Sequence, residues 1–275
     1  MDSRRIKVLH LLATMPVGGA EDLVAEVVKG LDPQRFEAAA ACIGGPGLIG
    51  EELRAAGYPL ASLGLDLKHT PGWRVVAAVR RLLQEARPDI LHTHLYHPNL
   101  YGRLAALGLG LKGLVASVHN SYTRVKRHRS LYNYLLGWAT DRVVAVSPQV
   151  WEDVRRYDRI PVARLCLLPN GVNLAALETT LTREEAKARL GVTGFCLGAV
   201  GRLEEQKGHV HLLEALREAP ALSFGRAAIR RPVSRPQQPR QPARPCKPAA
   251  GIFPRPPMAE CRRGGVTGGR QPFAQ

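Results

Sequence analysis

The 275-residue sequence predicts an α/β fold organised as a doubly wound parallel sheet. Two observations carry this prediction. Short apolar runs alternate with stretches of helical spacing, the pattern of repeated βαβ units. The first run, residues 6–15 (IKVLHLLATM), is near-continuously apolar, as a parallel strand covered on both faces should be. A third observation limits the prediction: after Pro220 the alternation stops, and a Pro/Arg-rich segment fills the chain to Gln275.

The elements follow in order. After the first strand, Pro16-Val17-Gly18-Gly19 reads as a turn, and 20–31 has helical spacing. Further strand-like runs lie at 36–43, 59–65, 89–95, 114–119, 142–147 and 164–168. Helical stretches lie between them at 48–56, 73–85, 100–109, 130–138 and 148–157. These make a first domain of residues 1–170, complete and Rossmann-like. Pro169-Asn170-Gly171-Val172-Asn173 is a turn and a candidate hinge. A polar helix is expected over 183–190, with Thr182 as its cap and Glu185 three residues on. A strand at 195–200 and a helix reaching about residue 218 then open a second α/β unit. One strand and one helix cannot bury a core alone, so 171–220 reads as a hinge and a fragment of a second domain.

Residues 221–275 carry ten prolines, few aromatics and no periodicity, a composition expected to stay disordered. They also hold most of the charge. Of the net +16, this segment contributes +10 from eleven Lys/Arg and one acid, Glu260, leaving +6 for residues 1–220. Five scattered cysteines without a CxxC pair argue against a disulfide scaffold and fit a reducing cytosol. No stretch reaches the roughly 18–20 apolar residues of a membrane span, and the N-terminus reads as a strand instead of a signal peptide.

Several motifs sit where strands end, the edge at which open α/β sheets bind ligands. Gly18 and Gly19 open the first helix. They either let a ligand approach the backbone and the helix N-terminus, or serve a tight turn needing positive φ. His92, His94 and His97 cluster at the end of the fourth strand; without a nearby carboxylate or cysteine the expectation is packing and loop hydrogen bonds, with no metal. His119 leaves the fifth strand, either as a ligand contact or as a satisfied core histidine. The following loop, SYTRVKRHR, places Tyr122, Arg124, Lys126 and Arg127 beside the same edge. It is a candidate acceptor or anionic-membrane contact, or simply a solvated loop. Arg202 at a strand end and Lys207 at the next helix start are spaced to hold one diphosphate through charge-assisted hydrogen bonds.

GGAE (18–21), HTHLYHPNLYGRLAA (92–106), VHN (118–120), PNGVN (169–173) and VGRLEEQKG (200–208) occur in one order that resembles a retaining glycosyltransferase of family 4. The resemblance covers about residues 5–219. It implies a GT-B fold of two Rossmann-like domains, a nucleotide-sugar donor, and a glycan, lipid or small-molecule acceptor, without metal or cofactor. It also implies that Arg202 and Lys207 hold the donor diphosphate, that Gly18 and Gly19 close on the reacting centre, and that His119 meets the donor sugar. Such a protein is expected to be cytoplasmic, or peripheral at the inner membrane face. The family's later pair of glutamates has no match in 221–275, so a truncated or frameshifted gene and impaired transfer are expected. Another GT-B enzyme, such as a sugar epimerase, is a further reading. A different class is a non-catalytic remnant whose basic tail binds nucleic acid or anionic membrane. Lacking interleaved aromatics, that tail would bind nonspecifically, and a nucleic-acid partner is not expected.

Overall fold

The computed structural model describes residues 4–122, 127–172, 174, 178–193, 197–201 and 205–218. These fall into two units that part at Val172 and Asn173.

The first unit is a seven-stranded, wholly parallel sheet with the order β3-β2-β1-β4-β5-β6-β7. Its strands are β1 Ile6–Leu12, β2 Phe36–Cys42, β3 Leu60–Ser62, β4 Ile90–His94, β5 Gly113–Val118, β6 Arg142–Ala145 and β7 Leu165–Leu167. The chain starts at the centre, winds outward to β3, then crosses back to lay β4 against the other side of β1. This is the doubly wound arrangement, and its strand order reverses between β1 and β4. The edge strands β3 and β7 have three residues each, which leaves little backbone open to unwanted pairing.

The crossover helices are α1 Gly19–Gly30, α2 Gly47–Ala55, α3 Gly72–Ala86, α4 Tyr96–Ala106, α5 Arg127–Gly137 and α6 Pro148–Asp153. Strand parity sorts the core into two layers. Leu9, Leu11, Ala39, Ala41 and Leu91 pack beneath Val75, Val79, Leu82 and Leu83 of α3. Leu12, Ala40 and Cys42, on the opposite face, pack with Val24, Ala25 and Val28 of α1 and Leu53 of α2. In α3 the buried residues recur at helical spacing, which explains why that segment coils instead of pairing as a strand. Helix α6 starts on Ser147, whose hydroxyl accepts from the Val150 N–H, with Pro148 at the first helical position. The helix expected over 148–157 changes hand-hold at Val154: Val154–Asp158 continues as a π-helix.

In the second unit, α7 (Arg183–Leu190) carries the expected reciprocal cap between Thr182 and Glu185. Helix α8 spans His209–Glu218 after a single 3₁₀ turn at Glu205–Lys207. The strand expected at 195–200 is a correction. Residues 197–200 form no strand, and Leu197 and Val200 stand exposed; among the described residues no strand lies beside them to share their backbone hydrogen bonds. The part of it at 194–196 and the segment 221–275 lie outside the described residues.

Candidate functional site

The strand ends around the β1/β4 reversal carry an unusual stripe of histidines. His10 of β1 stands in register with His92 of β4, and His94 of β4 with Ser117 of β5. Alternation puts His10, His92, His94 and, one step past β5, His119 on the same face of the sheet. His10 is 1% exposed and His94 3% exposed, so the stripe is interior. The sequence groups His92 and His94 with His97. The fold instead supplies His10 as their companion, while His97 stacks on Tyr101 with ring centres 6.2 Å apart. A histidine inside the otherwise apolar run 6–15 was the available signal for His10.

These rings form a chain of hydrogen bonds. His10 Nδ1 lies 3.1 Å from His94 Nε2, and His94 Nδ1 lies 3.2 Å from His119 Nε2. Beside it, His92 Nε2 meets the Ser117 hydroxyl at 2.7 Å. Burial pushes His10 and His119 down to about 4, and holds His92 and His94 well below the ordinary histidine range. All four are therefore neutral at pH 7, each with one N–H and one lone pair. In a neutral chain the proton order is shared: if His119 donates to His94, then His94 donates to His10, and the reverse order reverses every bond. Both chain ends, His10 Nε2 and His119 Nδ1, are buried atoms without a hydrogen-bond partner among the described residues. His119 thus keeps one buried ring nitrogen near the strand edge whose donor or acceptor character is set by its neighbours. One nitrogen from each of His10, His92 and His94 also lies within 4.8 Å of the others, close enough for a shared cation.

The β4–α4 junction is rigidly tied. Leu95 takes φ 67, an uncommon conformation for a branched side chain. Thr93 donates to Asn99 Oδ1 at 2.7 Å, and Asn99 Nδ2 donates to the Ser117 carbonyl at 2.9 Å. Across the reversal, Gly18 is the N-cap of α1, without a side-chain cap. The turn reading of this glycine pair fails: Gly18 has φ −173, and neither glycine lies in the left-handed region. A Cβ on Gly19 would meet nothing within 4 Å. What the pair leaves is open backbone at Gly19, while the Glu21 carboxylate lies against Gly18 at the same helix N-terminus.

Tyr122 is placed inward. Its ring packs against the cluster of Val143, Ala145, Val150 and Ile160, its hydroxyl donates to Asp158 at 2.5 Å, and its N–H donates to Asp153 at 2.8 Å. Asn133 also donates to Asp158, and the buried Arg103 donates to Asn133 Oδ1 and to the Asn99 carbonyl. Desolvation lifts Asp158 to about 6 and raises Tyr122, while it lowers Arg103 to about 10. This network, which joins α4, α5 and the π-helix, was not legible in the sequence because its members lie 25 to 36 residues apart.

Arg127 opens α5 and is exposed; Arg124 and Lys126 lie outside the described residues. In the second unit Lys207 is exposed at the end of the 3₁₀ turn, one residue before Gly208 with φ 65. Its expected companion Arg202 lies outside the described residues.

Comparison with known proteins adds an independent line. The family described as Glycosyltransferase Family 4 matches residues 17–176. Over 223 residues the chain is 24% identical to the UDP-Gal:alpha-D-GlcNAc-diphosphoundecaprenol alpha-1,3-galactosyltransferase of Escherichia coli, covering 77% of this chain and 57% of that protein. The structure superposes on Anabaena Alr3699/HepE, solved with UDP and glucose, at TM-score 0.65 and 19% identity, over 79% of this chain and 59% of the other. It superposes on a Rickettsia africae glycosyltransferase at TM-score 0.63 and 19% identity, over 81% and 59%. The chain thus spans somewhat under three fifths of the length of these relatives.

Proposed function

The chain belongs to glycosyltransferase family 4, and we propose that it transfers a sugar from a UDP-sugar, with retention, to a glycan or lipid-borne acceptor. The observation that carries the reading is the joint placement of the open Gly19 backbone after β1 and the neutral His119 after β5, one strand beyond the reversal, at the same edge of the sheet. That edge is where an open α/β sheet takes its ligand. The UDP donor and the diphosphate-linked acceptor are supported by the names of the relatives.

In this reading His119 meets a hydroxyl of the donor sugar, the contact the resemblance assigns to it. Being neutral, it orients that hydroxyl without placing charge beside the reacting carbon. His94 holds the ring and couples its proton order to that of His10, a positioning role one bond removed from substrate. The resemblance assigns the donor diphosphate to Lys207 and Arg202, whose cationic side chains suit the charge that develops on a leaving nucleotide. The reading needs no metal, since every step assigned here is hydrogen bonding or fixed charge.

Transfer by the 275-residue chain is proposed to be slow. The resemblance assigns sugar and ribose contacts to a glutamate pair, and residues 221–275 hold one acid, Glu260. No described helix is long and apolar enough to cross a membrane. The experiment is UDP release from UDP-galactose or UDP-glucose, with proton NMR of the transferred sugar's anomeric configuration. Low but measurable release that falls about a hundredfold in His119→Ala supports the reading. Release unchanged by His119→Ala, or an inverted product, sinks it; turnover at several per second sinks the slow-transfer claim alone.

A further inference from the structure

The histidine stripe holds more imidazole than sugar recognition uses. His119 and its support His94 have a place in that reading; His92 has none, and His10 serves only to close the chain. These two stand in register across the β1/β4 reversal, with ring centres 5.1 Å apart. The His94 ring lies 5.3 Å from that of His10 and 4.1 Å from that of His92. Alternation puts Val8 and Leu12 on the same face of β1 as His10, so an apolar residue is the ordinary occupant of this layer. A valine or leucine at position 10 would also avoid the buried Nε2, which has no hydrogen-bond partner among the described residues.

The arrangement fits a cation held by imidazole. In the sequence His92 and His94 lack a third ligand; the fold supplies His10. Its Nδ1 faces His94 Nε2 at 3.1 Å. Two nitrogens bound tetrahedrally at about 2.0–2.1 Å from one zinc stand about 3.3 Å apart, so this pair needs to open only slightly. One nitrogen of His92 completes the set, all three lying within 4.8 Å of one another. Turning the rings about their side-chain bonds closes that remaining gap of at most about 1.5 Å. Ligating histidines commonly donate their other N–H to an outer partner, which fixes tautomer and ring orientation. His94 Nδ1 has His119 Nε2 at 3.2 Å, and His92 Nε2 has the Ser117 hydroxyl at 2.7 Å, which leaves Nδ1 as the ligating atom of His92. Among the described residues no carboxylate or cysteine joins the group. A set of neutral imidazoles suits zinc and its transition-series neighbours and is poor for magnesium or calcium, which take oxygen.

We propose that His10, His92 and His94 bind one transition-metal dication, zinc or a close congener, beneath the strand ends at the β1/β4 reversal, with His119 and Ser117 as outer partners. Water takes the fourth position, as in other three-histidine sites. The protons balance without loss. Coordination takes the lone pairs of His10 Nδ1 and His94 Nε2, so protons sit on His10 Nε2, His94 Nδ1 and His119 Nδ1. His119 then accepts from His94 through Nε2. The ion locks the stripe in one of its two proton orders. No step assigned to sugar transfer passes through it, and the inference does not depend on that reading.

The test uses the full 275-residue chain, stripped with a chelator and given zinc alone, in equilibrium dialysis with metal analysis. One tightly bound zinc per chain is expected, with Kd of about 1 µM or lower. His10→Asn and His92→Asn should each weaken binding by about a hundredfold or more, Ser117→Ala by about tenfold, and His97→Asn not at all. Circular dichroism checks that each variant is folded. Two measurements on the wild type need no variant. X-ray absorption of the zinc-loaded protein should show three imidazole nitrogens and no sulfur, which separates the stripe from Cys246 and Cys261 of the basic segment. Histidine 15N NMR should show zinc driving His94 and His119 to the Nδ1–H tautomer. Three results overturn the proposal: no zinc bound by the folded chain, undiminished binding in His10→Asn and His92→Asn, or a zinc shell with sulfur or fewer than three imidazoles. UDP binding to the zinc-free chain, measured by calorimetry, reports separately on the sugar-transfer reading.

Discussion

Acidification from pH 7 to pH 5 is expected to weaken the first unit through its histidine stripe, by an amount that can be worked out. His10 and His119 have folded values of about 4 against about 6.5 in an unfolded chain. The unfolded chain therefore binds more protons between these values, and stability falls as pH drops through that window. At pH 5 each ring removes about 2 kcal/mol relative to pH 7. Asp158 acts oppositely. Its folded value is about 6 against an ordinary carboxylate, so its contribution grows on acidification and returns about 1 kcal/mol at pH 5. The net loss from these three groups is about 2–3 kcal/mol, and His92 and His94, also held down by burial, push in the same direction as His10. The assay is urea unfolding followed by circular dichroism at both pH values, on wild type and His10→Asn. The asparagine does not titrate, so the acid loss should shrink by about 2 kcal/mol. Stability that holds steady or rises from pH 7 to pH 5, or an unchanged pH slope in His10→Asn, refutes the reasoning.

Other outcomes follow from the same structure. Arg103→Met leaves the Asn99 carbonyl and Asn133 Oδ1 without their buried donor and removes the positive charge that favours ionised Asp158, and should cost about 1–3 kcal/mol in urea unfolding, with part of that recovered in Arg103→Met/Asp158→Asn. Gly47 has φ 62, and a Cβ there would collide with the Met15 carbonyl, so Gly47→Ala should cost at least about 2 kcal/mol. Chelation by EDTA should leave UDP release unchanged; loss of activity restored by zinc would assign His10, His92 and His94 as ligands.

Much of the first unit was readable because parallel strands and their crossover helices advertise themselves locally. The run at 36–43 appears as Phe36–Cys42, and that at 73–85 as Gly72–Ala86. Such segments are covered on both faces or along one stripe, so their pattern does not depend on which neighbour supplies the cover. Boundaries were less exact where ends are set by contacts. The helix expected at 100–109 begins at Tyr96, because Thr93, Asn99 and Ser117 tie its first turn to two strands. The strand expected at 195–200 fails at 197–200 for the complementary reason: an apolar run is only an invitation to pair.

By itself, the sequence determined the alternation of elements and the ordered motifs that point to the family. It also determined that the positive charge gathers in 221–275. Only the tertiary structure decided which histidines act together. His10 and His94 are 84 residues apart, and it is the return of β4 to the flank of β1 that brings their rings to 3.1 Å. The same holds for Tyr122, whose basic neighbourhood suggested an outward ligand contact until packing against Asp158 drew it inward. Residue type fixes what a side chain can do, but burial and partners, which arise only from long-range pairing, fix its charge, its free atoms and its direction.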